Sequence, residues 1–332
     1  MDKDTQIFYN NGNELANKYF REVVNPLLPK AETAAIFNIG ADTPNEITIS
    51  PQLNNSYIEG SVYEYKRNTL KYIHYTNTES AKSIIRCAIL RMYSLLSMND
   101  PQELSYALLD SIPAKTDKTI NDYKQNLFTL SMNEFQDEKE EVNTWLDYGD
   151  CGKGVGIVLS FDKTEQNSWH QHYLSKIKYK EKDLNGLRKL HARHTEFSNS
   201  IPIQVHGQVR NFLLPLAAFH KTKGFKKEKE VRLLVINKDA FVKNQKSQYD
   251  PIIVQKEGNE ITKSYIEFLL NPPKKEAYKN RRPIPKVEKI ILGPRIENHS
   301  VLKDELKELA IRGLGYEIEV ETSKIDLSNI SQ

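Results

Sequence analysis

Phe225-Lys226-Lys227-Glu228-Lys229-Glu230-Val231-Arg232-Leu233-Leu234-Val235-Ile236 runs a dense block of charge straight into an apolar, β-branched stretch. If residues 228 to 236 are extended, side chains alternate. Glu228, Glu230 and Arg232 then share one face, and Val231, Leu233 and Val235 share the other. Two carboxylates and a guanidinium point the same way at the mouth of a sheet. A solvated edge strand whose charges discourage aggregation has the same pattern, so this stretch alone leaves both readings open.

The sequence on either side reads as α+β. Leu70 to Tyr75 alternates as a strand, and Asn77-Thr78-Glu79-Ser80 leads into a helix over Ala81 to Ala88. Asp100, Pro101 and Glu103 suit the N-cap, first position and capping box of another helix. Further strands are expected at 126–132, 154–161, 174–179, 230–236, 252–254, 286–292 and 315–321, with helices near 261–270 and 300–312. Helical patterning over 184–219, broken near Ser200-Ile201-Pro202, reads as an internal helical insert near 184–220. Leu15, Tyr19, Phe20, Val23 and Leu27 recur at helical spacing, and Asn- and Pro-containing polar sequence follows to about residue 57. Residues 1–65 therefore read as an N-terminal helical extension and 66–332 as the main domain. The expected fold is α+β, with mixed, mostly antiparallel sheets and flanking helices.

Composition narrows the function classes. The 332 residues include 47 Lys and Arg against 44 Asp and Glu, a balance that neither demands nor excludes a nucleic-acid partner. Cys87 and Cys151 have no ligand-like spacing, and MDKDTQIFYN carries no apolar signal core, so a reducing, cytoplasmic setting is expected. No apolar run reaches the roughly 20 residues that cross a bilayer.

Several motifs carry little. Gly152-Lys153-Gly154-Val155-Gly156 lacks a P-loop ending and enters a strand, so close strand packing explains its glycines better than phosphate binding. His191 with His194, and His170 with His172, share faces without a Cys or acidic ligand set, and no metal is expected. Lys221, Lys223, Lys226 and Lys227 hint weakly at phosphate and read more simply as a solvated loop. Trp145 and Tyr148, three apart, suit a helical face as core or as a platform for a flat ring. His74, taken alone, is as readily structural as functional.

An ordered series changes the weight of these signals. It comprises Tyr72-Ile73-His74-Tyr75-Thr76, Leu90-Arg91 then Asn99-Asp100-Pro101 and Glu103, and Leu130-Ser131-Met132. Trp145 and Tyr148 with Lys153-Gly154-Val155, then Glu228, Glu230, Val231 and Arg232, and Ile290 to Pro294 complete it. Over roughly residues 70 to 325 it resembles the bacterial family called domain of unknown function 2971. That family is in turn distantly similar to the DarT-type ADP-ribosyltransferases. The resemblance implies an ADP-ribosyltransferase-like domain using NAD as co-substrate. His74, Tyr75 and Thr76 would match the first NAD-binding motif, and Arg91 a phosphate-orienting arginine. Asn99, Ser131, Trp145 and Tyr148 would complete the NAD pocket. Glu230 would be the catalytic glutamate and Glu228 the acidic residue two before it. Leu130-Ser131-Met132 departs from the Ser-Thr-Ser of the best-known bacterial toxins.

The residue types suit the chemistry. Cleaving the bond between nicotinamide and ribose develops positive charge, which a fixed carboxylate stabilises. The implied setting is a bacterial toxin or anti-phage defence effector. Its partners would be a nucleic acid or protein acceptor and a phage component or antitoxin, with no membrane. Hydrolysis of NAD is a variant of the same chemistry. A catalytically inactive nucleotide- or nucleic-acid-binding sensor module is the alternative from another class.

Overall fold

The chain order is helix, hairpin, then one large sheet interleaved with helices. A computed structural model describes residues 12–40, 43–51, 55–66, 71–98, 100, 102–111, 117–136, 142–161, 169–200, 209–237, 249, 251–254, 263–275 and 281–326. Helix α1 (12–19) runs into a π-helical turn at Phe20–Val24, and β1 (Thr33–Gly40) pairs antiparallel with β2 (Thr43–Pro51). Next come β3 (Lys71–Thr76), α2 (Thr78–Cys87), β4 (Ile89–Ser94), α3 (Ser105–Ser111), α4 (Asp117–Lys124), β5 (Leu127–Glu134) and α5 (Val142–Asp147). They are followed by β6 (Val155–Phe161), β7 (His172–Lys176), α6 (Asn185–Asn199), α7 (Val209–Ala217), β8 (Glu230–Ile236) and β9 (Ile252–Val254). The chain closes with β10 (Lys263–Leu269), β11 (Pro285–Leu292), α8 (His299–Gly313) and β12 (Glu319–Thr322).

The main sheet runs β12-β11-β6-β3-β5-β4-β10-β9, and β8 joins β5 to β7. Among the described strand pairs of this sheet, β11 with β12 alone is parallel. The expected mixed, mostly antiparallel α+β architecture is therefore present. Strand β5 branches the sheet: β8 follows it from Leu127 to Asn133, β4 pairs only at Phe128 and Thr129, and β3 only at Asn133 and Glu134. β3 and β4 thus splay apart on one edge of β5, and Leu130, Ser131 and Met132 lie between them.

Local chemistry explains the ends of α2. Asn77 Oδ1 accepts from the Ser80 amide at 2.8 Å, capping the start, and Ala88 takes the left-handed conformation at the end. Gly149, Gly154 and Gly156, after α5, are packing glycines. A Cβ on Gly154 would lie 2.3 Å from the Thr76 carbonyl oxygen.

Both faces of the sheet are covered. Val231, Leu233 and Val235 pack with Ala81, Ile85, Leu302, Leu306 and Ala310 from α2 and α8. Leu234 and Ile236 pack with Tyr19, Phe20 and Val23, and with residues of α3, α6 and α7. The N-terminal helix and the helices within 184–220 therefore share one apolar cluster with the sheet. Each fully buried aliphatic or aromatic side chain there contributes roughly 1.5–3 kcal/mol.

Three expectations are corrected, and the edge-strand reading that 228–236 left open is excluded. The 228–236 stretch is not an edge: all seven residues of β8 are buried between β5 and β7. Nor is Glu228 in the strand, because a 3-10 turn (Lys223–Glu228) and left-handed Lys229 precede it. Residues 263–269 form a strand instead of a helix, since the aromatic and β-branched Tyr265, Ile266 and Phe268 pair with β4. Glu103 is not a capping-box residue; it is buried against Arg232. Asp100 Oδ1 does accept from the Gln102 amide, at 2.9 Å.

Candidate active-site cleft

The cleft lies where β3 and β4 separate. It encloses about 220 Å³ and is lined by residues from distant parts of the chain, among them His74, Tyr75, Ser131, Tyr148, Glu228 and Glu230. Ser131 brings the middle strand to the opening, β8 brings Glu230, and the turn before β8 brings Glu228.

Glu230 is 4% exposed and held on both oxygens. Oε1 accepts from Ser131 Oγ at 2.7 Å and Arg232 Nε at 2.8 Å, and Oε2 from Arg232 Nη2 at 3.2 Å. Lys221 Nζ lies 2.7 Å from the same Oε2 and 2.8 Å from Glu228 Oε2, bridging the two carboxylates. Burial disfavours the charge on Glu230. Arg232 and Lys221 outweigh that cost, and its carboxyl titrates well below the ordinary range. The carboxylate is therefore ionised at neutral pH. Glu228 Oε1 accepts from the Tyr148 hydroxyl.

Arg232 is fully buried and ties the cluster to the scaffold. Its Nη1 donates to the Ala218 carbonyl at 2.6 Å, just past α7, and it ion-pairs with Glu103. At Glu103 the balance falls the other way: burial outweighs the attraction of Arg232 and Lys221 and raises its carboxyl above the ordinary value. Lys221 reaches inward because its neighbour His220 bridges to Lys178 and meets the Tyr63 hydroxyl at 2.9 Å.

His74 Nδ1 is 2.9 Å from the Ser131 carbonyl oxygen. A carbonyl only accepts, so Nδ1 carries the proton. Burial lowers the histidine pKa against the opposing effect of that hydrogen bond, which leaves a neutral ring with Nε2 as an acceptor.

Not every sequence candidate reaches the cleft. Trp145 is fully buried behind it, edge-on to Tyr75 at 4.8 Å between ring centroids. It sets the Tyr75 ring and offers no ligand surface. Arg91 is exposed on β4, stacked on Tyr265 at 4.6 Å and opposite Glu267 in the strand pair. Thr76 ends β3 outside the lining set. Asn99 lies outside the described residues. His172 is a buried core residue, with Nε2 2.9 Å from the Tyr249 hydroxyl, and His194 meets the Tyr19 hydroxyl at 3.0 Å. Among the described residues no group of three or more His, Cys, Asp or Glu side chains is placed to hold a metal ion.

Lys221, Glu103, Asp100 and Asn133 complete the polar lining. Lys221 corrects the solvated-loop reading, whereas Lys223, Lys226 and Lys227 are indeed exposed. Spacing gave no sign that Glu103 or Lys221 would join the ion-pair cluster, because their partners lie on other segments.

A family described as protein of unknown function (DUF2971) matches residues 144–233. That span contains Tyr148, Lys221, Glu228, Glu230 and Arg232, while His74 and Ser131 lie outside it. No curated protein matches the chain. No solved structure matches it either. No helix among the described residues is long and apolar enough to cross a membrane.

Proposed function

We propose that the cleft binds the nicotinamide end of NAD and that the protein transfers ADP-ribose to a nucleic acid or protein, acting as a bacterial toxin or anti-phage effector. One observation carries this reading: His74, Tyr75, Ser131, Tyr148, Glu228 and Glu230, all chosen from sequence, line one cleft. The resemblance to DarT-type transferases supplies the reaction class.

The chemistry of the lining supports it. Cleaving nicotinamide from ribose develops positive charge, which the ionised Glu230 and neighbouring Glu228 stabilise. The rings of Tyr75, Tyr148 and Phe225 offer faces to a flat ring, and His74 Nε2 accepts from a ribose hydroxyl. At about 220 Å³ the cleft is smaller than the roughly 300–1,000 Å³ of common ligand sites. It takes one ring and its sugar, leaving the rest of a dinucleotide outside. The exposed Lys223, Lys226 and Lys227 flank Phe225 in sequence and supply charge for the phosphates in place of Arg91.

The test is incubation of purified protein with labelled NAD. Label on nucleic acid or protein marks transfer, and free ADP-ribose alone marks hydrolysis. Glu230→Gln is expected to lower turnover by roughly a hundredfold, with circular dichroism checking the fold because the change also removes a charge partner of Arg232 and Lys221. A second reading, a non-catalytic nucleotide- or nucleic-acid-binding sensor, is favoured by one feature: both Glu230 oxygens already have protein partners. It requires Glu230→Gln to keep ligand affinity and cellular activity.

A further inference from the structure

The two glutamates of the cleft are held by a lysine that is itself held from behind. Lys221 is buried, with Nζ 2.7 Å from Glu230 Oε2 and 2.8 Å from Glu228 Oε2. Fixing its four-carbon stem costs rotamer freedom, so the backbone that aims it matters. That backbone is pinned on both sides of His220: the Lys178 amide donates to the Phe219 carbonyl at 2.8 Å, and the Lys221 amide to the Lys178 carbonyl at 3.1 Å. Consecutive residues of an extended stretch point to opposite sides. His220 turns toward Tyr63, in the apolar cluster that includes Phe219, and Lys221 lines the cleft.

The anchor behind His220 comes from the N-terminal segment. Tyr63, 157 positions earlier, is fully buried, and its hydroxyl meets His220 Nε2 at 2.9 Å with the rings edge-on at 5.8 Å between centroids. Tyr63 is seated in turn, because its amide donates to Ser61 Oγ at 3.1 Å and its ring lies 6.4 Å from that of Phe219. A chain of contacts therefore runs from Tyr63 through His220 and Lys221 to both carboxylates. Glu228 depends on it most. It ends the turn before β8 and is held by Lys221 and by the Tyr148 hydroxyl. Glu230 keeps Arg232 and Ser131 whatever Lys221 does. Without a cation between them the two carboxylates repel, and the one on the turn swings outward.

We propose that Tyr63 acts through His220 to seat Lys221, and that Lys221 is the positioning residue that holds Glu228 and Glu230 together in the cleft. The N-terminal segment is then part of the site, and displacing Tyr63 loosens carboxylates that it does not touch. The effect on turnover rests on the dinucleotide reading above; the effect on the carboxylates does not.

Glu230 is faced by Lys221, Arg232, Glu228 and Glu103 and by the hydroxyls of Ser131, Tyr148 and Tyr179, with His74 in the same cleft. Lys221→Met removes one of its two cations, so its carboxyl should titrate higher. The full chain, with carbon-13 in its glutamate carboxyls and Glu230→Gln assigning the signal, is titrated by NMR. In Lys221→Met the apparent pKa of Glu230 should exceed that of the wild type by at least about 1. Tyr63→Phe keeps the ring and drops the hydroxyl; alone it should raise that pKa by about 0.4, and in Lys221→Met it should add nothing. Nicotinamide release follows the same cycle. The expected kcat is about tenfold lower in Lys221→Met, about threefold lower in Tyr63→Phe and no lower in the pair than in Lys221→Met, with KM for NAD within about threefold throughout. A merely structural tyrosine gives additive losses, which would overturn the relay, as would an unmoved Glu230 titration in Lys221→Met. If circular dichroism shows that Lys221→Met does not fold, Tyr63→Phe decides, and an unmoved titration there overturns the relay. Titrations that move as expected in a protein that releases no nicotinamide leave the relay standing and sink the dinucleotide reading. Release by the wild type with unmoved titrations does the reverse.

Discussion

Strands β8 and β10 invert what their compositions suggest. β8 carries Glu230 and Arg232, yet all seven of its residues are buried. β10 carries Tyr265, Ile266, Phe268 and Leu269, yet it lies one strand from the sheet edge and leaves Lys263, Glu267 and Leu269 exposed. Pairing decides the difference. β8 has neighbours on both edges, and each of its charges meets an opposite charge. A buried charge survives only with such partners, whereas an apolar side chain near an edge remains partly exposed at small cost.

The comparison breaks most sharply at Arg232. Arg232→Met leaves Glu103 and Glu230 buried without their guanidinium, and about 3–5 kcal/mol of stability should be lost in urea unfolding. On β10 the corresponding weight is apolar: Ile266→Ala, fully buried, should cost about 3 kcal/mol by the same measurement.

A pH titration sharpens the same contrast. His172, beside β8, and His220, beside Lys221, are buried, which holds both well below the usual histidine value, at about 3. Below the unfolded pKa of about 6.5 the unfolded chain binds protons that the folded chain refuses, so stability falls with falling pH. Between pH 7.5 and 5.5 each of these two histidines should remove about 1.4 kcal/mol, so the unfolding free energy should drop by about 3 kcal/mol, and His172→Gln should flatten the slope. Glu230 acts in a lower window. Its depressed folded pKa gives stability that is present above the ordinary carboxylate pKa and lost as pH falls toward the folded value. The smallest effect belongs to the exposed Glu267 on β10, where Glu267→Ala should change stability by no more than about 0.5 kcal/mol.

Much of the fold was legible because local rules acted locally. Asn77 announces α2, and alternation marks β3, β5, β6 and β8 within a residue or two. The misreadings came from distant partners. The apolar spacing of 263–269 fits a helix until β4 supplies a pairing edge. Glu103 fits a capping box until Arg232, 129 positions later, pairs with it. The lining of the candidate cleft was legible at His74, Tyr148 and Glu230 only through the ordered series of motifs, since each taken alone reads equally well as structural. It was illegible at Lys221, whose inward turn depends on the His220 bridge to Lys178. Trp145 was legible as an aromatic of the site, but its contact is with Tyr75 and not with the cleft.

We propose that the charge cluster opening β8 serves a cleft that consumes NAD. Nicotinamide release on mixing purified protein with NAD, measured side by side for the wild type and Glu230→Gln, tests it most directly. Release by the wild type and a roughly hundredfold slower release by the variant are the expected results. Equal release by both, or no release and no dinucleotide binding by the wild type, would contradict it.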